Sequence, residues 1–239
     1  MNRLLKSILS GMAIIMAATT NAQINTAQNL DHRQQAIVRI SALTGKGDLS
    51  KLKTELNKGL ENELTVNQIK EILVHVYAYA GFPRSLRGLQ TFMTVLDDRN
   101  ANGINDKWGA ESSPIHNTGS KYERGKIILE TLTGVPETEP KTGYAAFAPE
   151  IEVFLKEHLF ADIFERDVLS YAERELVTIS VLSSIGDVEP MLRSHFKIGL
   201  NMGLTPNQLH QFVGIIKQTI GSKESDASQH VLNEVLKDK

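Results

Sequence analysis

An internal duplication limits what this chain can fold into. The segment Gly59-Leu60-Glu61-Asn62-Glu63-Leu64-Thr65-Val66-Asn67-Gln68 returns as Gly199-Leu200-Asn201-Met202-Gly203-Leu204-Thr205-Pro206-Asn207-Gln208, and each copy closes downstream on a glycine, Gly81 and Gly221. Upstream, with one residue of slip, Ile37, Val38, Ile40, Ser41, Leu43, Gly47 and Asp48 answer Leu176, Val177, Ile179, Ser180, Leu182, Gly186 and Asp187. A repeated unit predicts its own architecture, because both copies must take the same supersecondary form. The copies differ in their chemistry. The second has Glu175 and His195 where the first has Ala36 and Glu55.

The unit is helical. Thr65-x-x-Gln68, Ser170-x-x-Glu173 and Thr205-x-x-Gln208 are capping boxes, and Pro206 stands at the first helical position, where its missing N–H costs nothing. Behind them Ile69, Ile72, Leu73, Val76 and Leu209, Phe212, Val213, Ile216 are spaced for one apolar helix face. Gly81 and Gly221 read as stops, and no segment alternates as a strand would. The expected helices are 27–44, 48–60 and 66–80 in the first repeat and 171–184, 188–202 and 206–220 in the second. Helix 83–97 follows the first repeat and 224–237 the second. A polar stretch from Asp97 to Ser120, a short helix 121–133 and a Pro/Thr/Gly-rich connector lie between them, and apolar Phe154–Phe164 is expected to pack on the second repeat. The division is therefore 23–97, first repeat; 98–149, connector; 150–239, second repeat.

Residues 1–22 read as a secretory signal. Arg3 and Lys6 precede an apolar run from Ile8 to Ala18, and Thr20-Asn21-Ala22 forms a small-residue cleavage site. The run is too short to span a membrane. An exported protein, periplasmic or secreted, is the expectation, with no membrane attachment after cleavage. The processed chain would carry 24 Lys and Arg against 28 Asp and Glu, without a basic stripe, which argues against nucleic acid as a partner. The sequence contains no cysteine, so disulfides, cysteine–zinc sites and thiol chemistry are excluded.

Asp98-x-Asn100-x-Asn102-Gly103 matches the opening of an EF-hand loop, with Asp106 at its ninth position, but the twelfth position is Gly109 instead of the clamping glutamate. We read it as a polar linker. The seven histidines show no two-histidine metal spacing, and dinucleotide and nucleophile-elbow glycine patterns are missing.

His195 shares a face with Val188, Leu192, Phe196 and Gly199, so it projects from an apolar stripe. A histidine there is commonly a satisfied core group. A glutamate within reach would fix its tautomer and make the two a general acid/base pair. Glu175 is the candidate, though 20 residues away in the chain. Arg174 and Arg193 flank the pair and could hold an anion bidentately, or could equally form surface ion pairs. His75, Tyr77 and Tyr79 form an aromatic group read as packing.

The runs Arg174-Glu175-Leu176-Val177-Thr178-Ile179-Ser180, Gly186 to His195, and Gly199 to Thr205 together resemble the carboxymuconolactone decarboxylase family, which includes the alkylhydroperoxidase D-like proteins. His75-Val76-Tyr77-Ala78-Tyr79-Ala80-Gly81-Phe82-Pro83 resembles the same module. The resemblance implies an all-α fold of tandem modules that associates into trimers or hexamers, with sites near subunit contacts. In the peroxidase branch a cysteine pair works with a glutamate and a histidine. These map onto Glu175 and His195, while the cysteine positions fall at Val188 and Met191, so thiol peroxidase activity is excluded here. The resemblance to the decarboxylase branch implies a small carboxylated or lactone substrate, a proton delivered to carbon by His195, Glu175 as its orienter, and Arg193 or Arg174 as a clamp. No metal or cofactor is needed. The contrasting expectation is a non-catalytic oligomeric small-molecule-binding protein on the same scaffold.

Overall fold

The computed structural model describes residues 29–237, so the expected signal at 1–22 lies outside the described residues. Among those described, all regular structure is helical: α1 (His32–Lys46), α2 (Leu49–Glu61), α3 (Val66–Ala101), α4 (Lys121–Thr133), α5 (Gly143–Phe147), α6 (Pro149–Phe154) running into a π-helical segment (Leu155–Phe164), α7 (Tyr171–Ile185), α8 (Glu189–Asn201), α9 (Pro206–Ile220) and α10 (Ser222–Lys237).

Local chemistry sets most of these limits. All three capping boxes form; at α7, for example, the Ser170 N–H donates to Glu173 Oε2 at 2.8 Å while the Glu173 N–H donates to Ser170 Oγ at 3.3 Å. A fourth corrects an expectation. Helix α1 starts at His32, not at 27, because Asp31 and Gln34 cap it reciprocally at 2.7 and 3.0 Å. Positive φ at Gly81 (76°) and Gly221 (119°) breaks each repeat's third helix from the next arm. After each break a serine ties back to the previous helix, Ser85 Oγ to the Leu73 carbonyl and Ser225 Oγ to that of Val213. The arm after Gly81 runs on to Ala101, past the expected end at 97.

The repeats exchange partners. Helices α1 and α7 pack side by side, so closely that a Cβ on Gly45 would meet Ser184 Oγ at 2.2 Å. The third helix of each repeat then lies on the first helix of the other, α3 on α7 and α9 on α1. One continuous core results, holding Ile37, Ile40, Leu56, Ile72, Leu176, Ile179, Phe196 and Phe212. At about 25 cal/mol per Å² of apolar surface, this shared burial is the main stabilising contribution.

The connector has its own packing. The apolar segment 154–164 meets chiefly α4, rather than the second repeat alone; Ile128, Leu132, Phe160 and Phe164 form a second cluster that reaches the repeats through Ile198 and the Tyr77–Tyr79 stretch. A Cβ on Gly125 would lie 1.9 Å from the Lys156 carbonyl oxygen, so only glycine permits this crossing. Lys156, 1% exposed, is tied to Glu137 (2.6 Å), Glu152 and the Tyr122 hydroxyl (2.8 Å). Burial would raise the Glu152 carboxyl, but hydrogen bonds from Lys156, Lys141 and Tyr122 hold it at about 2. In the EF-hand-like stretch, Arg99 binds Asp106 at 2.8 Å and Lys53 binds Asp98 at 2.7 Å. Its opening residues Asp98 and Asn100 belong to the last turn of α3, and the two acids are paired with cations.

Candidate functional site

The apolar face of α3 carries a stripe at four-residue steps: Glu71, His75 and Tyr79. Because α3 lies on α7, this stripe faces Arg174, Glu175 and Thr178 from the other repeat. The guanidinium of Arg174, fully buried, donates through NH2 to Glu71 Oε1 at 2.8 Å and to the Arg166 carbonyl. Arg166 also holds both Glu71 oxygens through its Nε, at 3.0 and 3.1 Å. Through NH1, Arg174 contacts His75 Nδ1 at 3.2 Å. An arginine can only donate, so His75 Nδ1 is the acceptor and the proton resides on Nε2. That Nε2–H donates to Thr178 Oγ1 at 2.9 Å, and the Thr178 hydroxyl donates its own proton to the Arg174 carbonyl at 3.0 Å. Every proton in this chain has one assignable position. Burial first, then the charge of Arg174 and that of His195, holds His75 well below the usual histidine range, so it is neutral.

His75 stacks on Tyr79 (centroids 5.5 Å apart, 29° between planes), and Tyr79 meets the His195 ring edge-on at 5.6 Å and 85°. His195 extends from α8 back to α7, where its Nδ1 contacts Glu175 Oε2 at 2.8 Å. The carboxylate is fully buried and the imidazole side chain 14% exposed. With Nδ1–H given to Glu175, Nε2 is the nitrogen left for a reacting molecule: an acceptor in the neutral ring, a donor in the imidazolium. Burial and then the Glu175 carboxylate push the Tyr79 phenol up, so it stays protonated.

The structure brings Glu175 and His195 together and takes both arginines elsewhere. Arg174, expected beside the substrate, is buried instead as the counter-ion of Glu71 and the partner of His75. Arg193 lies about 200° around α8 from His195 at 3.6 residues per turn and pairs with Glu234 of α10. His75 and Tyr79, read from sequence as packing, belong to the polar cluster itself. The four-residue stripe Glu71, His75, Tyr79 on an otherwise apolar face was the signal available for them.

Among the described residues, four buried side-chain atoms have no hydrogen-bond partner: Ser41 Oγ, Tyr79 Oη, Arg174 Nε and Glu175 Oε1. Three of these belong to this one cluster. Among the described residues no group of three or more His, Asp or Glu is placed to hold a metal ion.

Comparison with known proteins identifies relatives of this chain. A model of the carboxymuconolactone decarboxylase family matches residues 149–233, from α6 into α10. The chain is 30% identical over 123 residues to 4-carboxymuconolactone decarboxylase of Acinetobacter baylyi, covering 51% of this chain and 91% of that protein. It is 25% identical over 183 residues to peroxisomal protein 2 of Saccharomyces cerevisiae, covering 66% and 64%. An uncharacterised protein of Methanocaldococcus jannaschii is 24% identical over 82 residues, covering 34% of this chain and 77% of that protein.

Proposed function

Since the chain belongs to the carboxymuconolactone decarboxylase family, we propose that it is a cofactor-independent lyase or isomerase of small carboxylated or lactone compounds, with His195 as its general acid and base. The observation that carries this reading is the 2.8 Å contact between His195 Nδ1 and the buried Glu175 carboxylate, which orients the ring and leaves Nε2 for the substrate. In a decarboxylation the bond from the substrate carbon to its carboxylate breaks. CO₂ departs, and the electron pair is taken up by the conjugated lactone carbonyl. A proton from Nε2–H of the imidazolium then reaches carbon, and the ring recovers its proton from solvent. Glu175 stabilises the imidazolium stage, and apolar surroundings favour loss of charge from the carboxylate. Arg174 and Arg193 are engaged with Glu71 and Glu234, so the remaining substrate carboxylate must meet other donors. The reading also takes the protein to be an exported homo-oligomer, supported by the signal-like residues 1–22 and by the family resemblance.

The test is a thermal-shift screen of lactones, muconates and small carboxylates on the wild type and on His195→Ala, followed by turnover assays of the hits. A ligand at 100 times its Kd raises stability by about 2.7 kcal/mol. Stabilisation that is lost in His195→Ala, with turnover of the same compound, is the expected result. Equal shifts in both proteins across the panel would mean that His195 is not at the ligand and would sink the reading.

A further inference from the structure

A cavity of about 300 Å³ opens beside the first turns of α3, lined by Lys70, Glu71 and Val74 of that helix, Glu111 of the connector, and Arg166 and Val168 of the loop before α7. The connector is pinned on both sides of it. The Lys107 and Trp108 carbonyls accept the Val66 and Asn67 N–H groups at 3.0 and 2.9 Å, and the Ser113 N–H donates to Asp167 at 2.8 Å. The Gln68 N–H is given to Thr65 Oγ1 at 3.3 Å. The N–H groups that open α3 are thus taken, and donors for a ligand have to come from side chains.

Two cations of the lining have donors to spare. Arg166 reaches Glu71 through Nε only, so its two terminal nitrogens hold no bond among the described residues. Lys70 has no carboxylate partner among the described residues; its ammonium meets the Asn67 amide oxygen at 3.1 Å and the Trp108 ring at 5.7 Å. Glu71 does not cancel them, because its one carboxylate already serves two guanidiniums, Arg174 and Arg166. Glu111 supplies the only other charge of the lining. With Arg174 behind Glu71, three cations face two acids, a surplus of one positive charge. Asp167, outside the lining, is exposed to solvent and occupied by Ser113.

We propose that this cavity binds a small monocarboxylate with a short aliphatic chain, its oxygens on Arg166 and Lys70 and its chain against Val74 and Val168. A guanidinium fork with free terminal nitrogens matches a carboxylate, and an ammonium beside it adds a point charge. The single surplus charge suits a monoanion, and the two cations repel an ammonium. Val74, a large apolar side chain 37% exposed, is the wall that a hydrocarbon chain would cover. Glu71 stands two turns before Tyr79 on α3, about 12 Å of helical rise. The site is therefore a second one, separate from His195, and does not rest on the proposed reaction.

The experiment titrates butyrate into the full chain with isotope-labelled valine methyl groups, against sodium chloride and butylammonium at equal ionic strength. Butyrate is expected to shift the Val74 and Val168 methyl resonances saturably, and the two controls are not. Lys70→Gln, at an exposed position, and Arg166→Gln should each weaken the Kd about tenfold, the loss of one charge-assisted hydrogen bond. Lys70→Arg should keep the affinity, and His195→Ala should leave it unchanged. No saturable shift at these valines, an equal shift with sodium chloride, or a Kd indifferent to both substitutions would overturn the site. A Kd weakened by His195→Ala as much as by Lys70→Gln would place butyrate at His195 and overturn it as well. None of these readouts uses turnover, so failure of the proposed reaction leaves them separately decidable.

Discussion

The two repeats carry the same helices, yet the chemistry is on one side of their junction. Where α3 meets α7 the interface buries Glu71, His75, Tyr79, Arg174 and Glu175 beside His195. Where α9 meets α1 the same positions hold Gln211, Ile215, Thr219, Gln35, Ala36 and Glu55. There the contacts are ordinary: Leu30 N–H to Gln211 Oε1 at 2.7 Å, Gln35 to the Leu30 carbonyl at 2.9 Å and Arg39 to Thr219 at 3.4 Å. Glu55 pairs with Lys58 beside an open cavity of about 320 Å³ bordered by Ala36 and Arg39. The comparison teaches that duplication supplied the geometry twice and the ionisable cluster once. It also shows the site to be composite, with His75 and Tyr79 from one repeat and Glu175 and His195 from the other.

The contrast is broken most severely at its buried ion pair. Arg174→Met leaves the Glu71 carboxylate, only 4% exposed, with Arg166 alone, and should cost about 3–5 kcal/mol of stability. Gln35→Met, the equivalent change, should cost about 1 kcal/mol. Urea unfolding of the two variants measures the difference, and equal losses would mean that the two junctions are energetically alike.

A smaller effect follows from His75. Its folded pKa lies below the ordinary value of about 6.5, so below that pH the unfolded chain binds a proton that the folded chain refuses. The stability linked to His75 is fully present above pH 6.5 and is lost as pH falls, by up to about 1.4 kcal/mol per unit. The Glu137 and Glu152 carboxylates, whose pKa values are also lowered, contribute a slope of the same sign, but beginning nearer pH 4.5. Melting curves between pH 7 and 5 should therefore show the His75 slope in the wild type and a flatter line in His75→Gln. Ile215, its counterpart, has nothing to titrate.

The smallest effect sharpens what the repeats share. Ser85→Ala and Ser225→Ala remove the same serine-to-carbonyl bond in each repeat, 2.8 Å and 3.2 Å long. Each should cost about 1 kcal/mol, and the two Tm shifts should agree. A large disparity would mean that the common scaffold is not used equally.

Much of the helical frame is legible in the amino-acid order alone. Thr65, Ser170 and Thr205 announce helix starts through residues three positions on, and glycines 81 and 221 announce stops; these devices act within a turn of the chain, so local sequence contains them whole. Asp31 with Gln34 has the same form, and it is this pair that moves the start of α1 from the expected 27 to His32. The Glu175–His195 pair is legible as two candidates on helices that have to be neighbours, although their contact is not.

Arg174 is not legible. Beside Glu173 in sequence it has the pattern of a surface arginine, and Glu173 does face outward to Arg33. Its burial is decided by Glu71, 103 residues away on a helix of the other repeat. The sequence by itself determined most of the helices, their capping boxes and glycine stops, the duplication and the absence of thiols, because these depend on neighbours along the chain or on composition. Only the tertiary structure decided which charges are inside, which histidine is locked neutral, and which is left with a nitrogen for a ligand. A buried charge is tolerated only where a distant partner meets it, and that meeting exists only once the two repeats have packed.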